Sequence, residues 1–208
     1  MTDEQARDEA MVLFLAGHDT TAAGLTWFWY IMPKHPEIQQ RVHDEVERVL
    51  RGTSPSFADV AKLPYLNSVI KETLRLYPPA IGIFAREAKE RIVLGGYDIP
   101  RGSIGYAFSY VTHRDGRWFT EPERFDPERF LGDKETVSPF AYFPFGAGAR
   151  ACIGAQFASM EMSLVTACLL QRFEFSFRAG HQDPEPIALM SLRLRRGMPM
   201  ILPLCARI

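Results

Sequence analysis

The chain has 208 residues, enough for one good-sized core or two small ones. Hydrophobic residues at 47% and aromatics at 12% exclude a disordered chain, and a net charge of −1 argues against nucleic-acid binding or attraction to anionic membranes. The 3 cysteines (Cys152, Cys168, Cys205) are odd in number and lack metal-site spacing, which argues against a disulfide framework and for a reducing, cytoplasmic setting.

The first ten residues are acidic and polar, unlike a signal peptide or a membrane anchor. The longest apolar stretch, Leu13 to Met32, is interrupted by Gly17, His18, Asp19 and two threonines, so it does not read as a bilayer span. From about Asp3 to Met32 the pattern predicts one long helix, stopped by Pro33 and Pro36. Pro36 opens a second helix with Ile38, Val42, Val46 and Val49 as its apolar stripe. Gly52 to Ser56 is a turn cluster, and a third helix runs roughly from Leu66 to Tyr77, ended by Pro78 and Pro79. Ile81 to Glu87, Arg91 to Leu94 and Ile104 to Tyr110 read as short strands, with Gly95-Gly96 as a turn. Trp118 to Phe143 is a long irregular stretch rich in Pro, Glu, Arg and Phe; a segment of that kind inside a domain usually serves a purpose. An apolar helix from Ala155 to Leu170 follows, then strands at Phe173 to Phe177, Ile187 to Arg195 and Met198 to Leu202. The fold class is mainly α with small β-sheets.

The most informative stretch is Phe145-Gly146-Ala147-Gly148-Ala149-Arg150-Ala151-Cys152-Ile153-Gly154. Its cysteine sits in a glycine-rich loop just before a helix, where the positive end of the helix dipole favours negative charge on sulfur. The glycines let backbone curl around that sulfur and let a flat ligand come close. Phe145 would cover one side, and Arg150 could pair with an acidic group on the ligand. A plain surface loop with a buried cysteine is the competing reading. Phe145, Gly148, Arg150, Cys152 and Gly154 nevertheless fill the pattern Phe-x-x-Gly-x-Arg-x-Cys-x-Gly, and the stretch resembles the cysteine-ligand loop of the cytochromes P-450, the haem-thiolate monooxygenases.

That resemblance implies Cys152 as the axial ligand of the iron in haem b. It gives a meaning to other places along the chain. Ala16-Gly17-His18-Asp19-Thr20-Thr21 puts poor helix formers in the middle of the first helix, with Ala16 and Thr20 on one face and room beside them. It looks like the family's acid–alcohol pair, which implies that Asp19 and Thr20 deliver protons during O2 activation and that Ala16 borders the haem. Glu72 and Arg75 match the family's Glu-x-x-Arg element, and Arg129 in Pro127-Glu128-Arg129-Phe130 fills the place of the arginine that joins them. The resemblance makes this trio structural support, with Arg124 a solvated duplicate. Arg86 occupies the position of a haem-propionate ligand, where a planar guanidinium fork suits a carboxylate. Pro79 to Phe84 and the turn near Leu189 and Met190 resemble substrate-lining segments, so an apolar substrate is expected. His113 has no spaced partner and reads as structural, while Cys168 and Cys205 read as small hydrophobes.

The resemblance runs from about Asp3 to Pro203 and matches only the C-terminal half of the family's fold. Residues 1–208 are therefore expected to form a partial haem domain with the N-terminal half absent. The family reading implies electrons from NAD(P)H through a separate ferredoxin- or flavoprotein-type redox partner, because neither a flavin nor an iron–sulfur motif is present. Two other readings stay open: a haem-binding chain without turnover, and a helical interaction protein without haem.

Overall fold

The computed structural model describes residues 1–132, 137–138 and 140–205, and for Ile83 and Phe84 the backbone alone. Part of the irregular stretch, and two side chains of the expected Pro79 to Phe84 lining, therefore lie outside the described residues.

Helix α1 spans Asp3–Ile31 and opens on a capping box in which Thr2 and Gln5 satisfy each other's backbone amides. Only its second half is buried, through Thr21, Ala23, Gly24, Trp27, Phe28, Tyr30 and Ile31. A 3-10 turn at Met32–Lys34 carries the chain into α2, Pro36–Leu50, whose Pro36 sits in the first turn where a missing N–H costs nothing. Ile38, Val42 and Val46 face the core as the spacing predicts, and Val49 packs against it half-buried. Helix α3, Phe57–Val60, is a single turn not expected from the sequence; Ser56 and Asp59 form a capping box there. Helix α4, Pro64–Leu76, is buried along Leu66, Val69, Ile70, Thr73 and Leu74, the side its spacing predicts. Its first turn is stapled to α2 by Glu45, whose carboxylate accepts the Tyr65 and Leu66 amides at 3.0 and 2.8 Å.

The strands are shorter than their apolar runs. β1 (Ile83–Glu87) pairs antiparallel with β4 (Ile104–Ala107), and β2 (Ile92–Leu94) forms a hairpin with β3 (Tyr97–Ile99). Gly95 and Gly96 make that hairpin turn at φ +58 and +85, so the partner of β2 is the unexpected β3. The run expected to stay extended to Tyr110 turns helical at α5, Ser109–Thr112, where the Ser109 hydroxyl bonds the Ala80 carbonyl at 2.9 Å. Helix α6 spans Ala155–Leu170, as expected. The run 187–195 is really a hairpin of β6 (Pro186–Ala188) and β7 (Leu192–Leu194), and β5 (Ser176–Phe177) pairs with β8 (Met200–Ile201). Each sheet among the described residues has only two strands, so helices carry the core. No helix among these residues is long and apolar enough to cross a membrane.

The helices that frame the site meet at Gly24. A Cβ placed there would lie 3.2 Å from Met162 Cε on α6 and 3.5 Å from Leu74 Cδ2 on α4. Glycine thus lets three helices close on one another. Trp27 locks the neighbouring turn, stacking on Tyr77 at 4.2 Å and donating to the Leu192 carbonyl at 2.8 Å.

Candidate functional site

At the centre of the molecule, Glu72 and Arg75 face each other with side chains 0% exposed. Arg75 Nε and Nη2 donate to the Glu72 carboxylate at 2.7 and 2.8 Å, and the Asp126 amide adds a bond at 2.8 Å. Arg129 Nε lies 3.4 Å from the same carboxylate, so the expected trio assembles. The remaining Arg75 N–H groups hold the carbonyls of His113, Pro122 and Arg124 at 2.7, 2.6 and 3.0 Å. The irregular loop is thereby pinned to α4 through its backbone. The Arg124 side chain is solvated, as its duplicate motif suggests, yet its carbonyl belongs to the network. Burial pushes the Glu72 carboxyl up, against the pull of Arg75, the Asp126 amide and Arg129.

The network reaches the cysteine loop through His113. Its ring, fully buried, meets the Arg75 carbonyl through Nδ1 at 3.1 Å and accepts the Phe143 amide at Nε2, 2.9 Å away. Burial pushes this imidazole down to about 4, and the charges of Arg75 and Arg114 act in the same direction. From Phe143 the loop closes on itself: the Gly146 amide bonds the Phe143 carbonyl at 3.0 Å, and the Cys152 amide bonds the Phe145 carbonyl at 2.8 Å. Gly148 sits at φ +72, where a side chain would be strained, which accounts for glycine in that motif position. Gly154 is the N-cap of α6 and has no side-chain cap bond; a Cβ on it would lie 3.9 Å from the Cys152 sulfur.

Within this loop Phe145 is half-buried against the core, while Arg150 and Cys152 are exposed. Ile153 and Phe157, flanking the thiol along the chain, are 93% and 64% exposed. Large apolar side chains around an accessible thiol suit a flat apolar ligand. Arg150 of the loop and Arg86 of β1 are both exposed, and a guanidinium fork is the group that suits a carboxylate. Among the described residues no group of three or more His, Cys, Asp and Glu is arranged to hold a metal ion; the one metal ligand that the sequence resemblance implies is the exposed Cys152 thiol. An accessible thiol beside large apolar side chains would fit a haem, with Cys152 as the residue that would ligate its iron.

On α1, Ala16 is exposed, and a Cβ on neighbouring Gly17 would touch nothing within 4 Å. The Thr20 hydroxyl donates to the Ala16 carbonyl at 2.8 Å, which spends its hydrogen and leaves its lone pairs outward. Asp19 is mostly enclosed, its side chain 18% exposed. It accepts from the Ser191 hydroxyl at 2.7 Å and is paired with Arg193, whose Nε donates back to Ser191 at 2.9 Å. Ser191 and Arg193 are site residues that the sequence reading missed. In β7 Leu192 is buried and Arg193 exposed, an alternation that the sequence carries but that names no partner for Arg193. The same hairpin presents Leu189 and Met190, 67% and 74% exposed, and the Leu192 amide bonds the Pro79 carbonyl at 2.8 Å. The two expected substrate-lining segments are therefore tied together beside Asp19. The cysteine loop and the Asp19 cluster are connected by the helices that carry them, packed at Gly24 and Met162.

Comparison with known proteins gives the family and the fold. The Cytochrome P450 family profile matches residues 1–200, and the chain belongs to that family. Cytochrome P450 4V2 of Mus musculus is 42% identical over 176 residues, which are 83% of this chain and 33% of that protein. Cyclooctatin synthase of Streptomyces melanosporofaciens is 41% identical over 174 residues, 83% of this chain and 38% of that protein. The crystal structure of the cytochrome P450DA heme domain superposes with a TM-score of 0.93 at 29% identity, over all of this chain and 46% of that one. The chain thus spans between a third and under half of the length of these relatives.

Proposed function

We propose that this chain carries the cysteine-ligand half of a haem-thiolate monooxygenase, which inserts one oxygen atom of O2 into an apolar organic substrate. The observation that carries this reading is the accessible Cys152 thiol in a fully matched loop at the start of α6. When bound, haem b supplies O–O cleavage, which electron donation from a thiolate favours. The protein's own residues divide the remaining work. Cys152 would ligate the iron; Arg150 and Arg86 would pair with the propionates; Phe145, Gly148 and Gly154 would shape the loop around the sulfur. Ala16 leaves space on α1. Asp19, steadied by Ser191 and Arg193, holds and passes protons at its carboxylate, and Thr20 orients them through its free lone pairs. The exposed Leu189 and Met190 support an apolar substrate. Electrons come from NAD(P)H through a separate ferredoxin- or flavoprotein-type partner, and the 3 free cysteines support a reducing, cytoplasmic setting.

A second reading, haem binding without turnover, is favoured by one observation. Met11, Val12, Leu13, Phe14 and Leu15 of α1 are 51–64% exposed, and oxygen activation needs water kept out of the site. The test is product formed per NAD(P)H consumed, with hydrogen peroxide quantified, for wild type and Thr20→Ala. Proton-relay chemistry predicts intact haem binding in the variant, with product lowered by roughly 10²–10⁴ and peroxide raised. Equal coupling in both proteins would remove Thr20 from the mechanism. Absence of product from wild type supplied with a competent partner would leave the second reading.

A further inference from the structure

We propose that His113 is a positioning residue for Cys152: a neutral imidazole strut that carries the rigidity of the Glu72–Arg75 pair into the cysteine loop. The proposal rests on the reading of Cys152 as the haem ligand only for its consequence, since the strut itself is a property of the protein alone.

Each neighbour of the ring fixes where one proton must sit. The Arg75 carbonyl can only accept, so the ring nitrogen 3.1 Å from it, Nδ1, must carry the proton. The Phe143 amide can only donate, so Nε2, 2.9 Å away, must present its lone pair. Both partners therefore demand the same tautomer of the neutral ring. Each is also a group that would otherwise be left wanting. Arg75 lies in the last turn of α4, where carbonyls have no partner further along the helix. Phe143 is buried at 8% exposure, so its amide cannot turn to water without moving the segment.

The coupling is reciprocal. Arg75 Nη1 donates to the His113 carbonyl at 2.7 Å while the His113 ring returns a bond to the Arg75 carbonyl. The ring is further wedged between Tyr142, stacked at 5.2 Å, and Phe143, edge-on at 5.3 Å. Tyr142 in turn bonds the Lys71 carbonyl of α4 at 3.0 Å. Residues 142 and 143 are thus fastened to α4 directly before the loop that ends at Cys152, and two backbone bonds carry the placement onward to the Cys152 amide. His113 is the side chain that joins the buried ion pair to the start of that loop. A ring protonated on both nitrogens would turn a donor toward the Phe143 N–H and break the link.

The experiment uses the whole chain and needs no haem. Nitrogen-15 NMR of the His113 ring should show the proton on Nδ1 and a bare Nε2 coupled to the Phe143 amide; a proton on Nε2 would overturn the proposal. Hydrogen exchange is then followed in His113→Phe, in His113→Gln, whose amide oxygen can still accept, and in Val42→Ala, a core truncation on α2. We expect exchange over residues 143–152 to rise about tenfold or more in His113→Phe, by less in His113→Gln, with α2 unchanged, and the converse in Val42→Ala. Loop exchange that is unchanged, or that rises in step with α2, would overturn it. If His113→Phe does not fold, the ring spectrum of the wild type still decides. In haem-loaded protein the thiolate-ligated fraction should fall in His113→Phe and hold in Val42→Ala. A wild type that takes up no haem would defeat the functional reading while leaving the strut intact.

Discussion

Two sides of this molecule are built on opposite terms. Around Glu72, Arg75 and His113, side chains are fully buried and nearly every donor meets an acceptor within about hydrogen-bond distance. Around Ala16, Ile153 and Phe157, apolar side chains and backbone stand open, and Gly17 has nothing beside it. The first side holds the scaffold and cannot lose a partner without leaving a charge in the core. The second keeps large apolar side chains exposed, among them Ile153 and Phe157. Stability and chemistry are therefore separable here, and substitutions on the two sides should report different things.

The largest effect on stability belongs to Glu72→Ala. It strands Arg75 and Arg129 without their carboxylate and should cost about 3–5 kcal/mol, read as a shift in urea midpoint together with a loss of haem uptake. An unchanged midpoint would erase the contrast between the two sides. Next is acid. His113 is held near 4 in the folded chain against 6.5 when free, so as pH falls through 6.5 the unfolded chain takes up a proton that the folded chain refuses. Stability should be full above pH 7 and fall by about 2 kcal/mol by pH 5 from this group. Urea titrations at the two pH values should show that slope flattened in His113→Gln. The smallest effect belongs to the open side. Phe157→Ser, at a side chain 64% exposed, should leave the stability of haem-free protein within about 0.5 kcal/mol while weakening haem uptake. A large loss without haem would mean that this side chain already packs on the scaffold.

Much of this division was legible in the sequence, and the reason is local. Helices α2 and α4 announced themselves through proline punctuation and apolar stripes, α1 through the prolines that stop it, and α6 as an unbroken apolar run. Family motifs marked Glu72, Arg75, Arg129 and Cys152, and in the structure the first three meet. What escaped depends on distant chain segments. The Arg193 and Ser191 partners of Asp19 lie more than 170 residues away, beyond any spacing rule. β3 escaped because the Gly95-Gly96 turn reads equally well as joining β2 to β4, and α5 because Ile104 to Tyr110 is apolar but for Gly105 and Ser109; there the Ser109 hydroxyl's bond to Ala80 accompanies the turn into helix. His113 looked structural for want of a second metal ligand, and it is buried with two ring bonds; its reach toward Cys152 needed coordinates.

The central claim is that Cys152 is the thiolate ligand of a haem. The direct measurement is the absorption spectrum of haem-loaded, reduced protein under carbon monoxide, for wild type and Cys152→His. Ligation by Cys152 predicts the red-shifted Soret band of thiolate-bound haem in wild type and its loss in the variant. Survival of that band in Cys152→His, or its absence from wild type that has taken up haem, would contradict it.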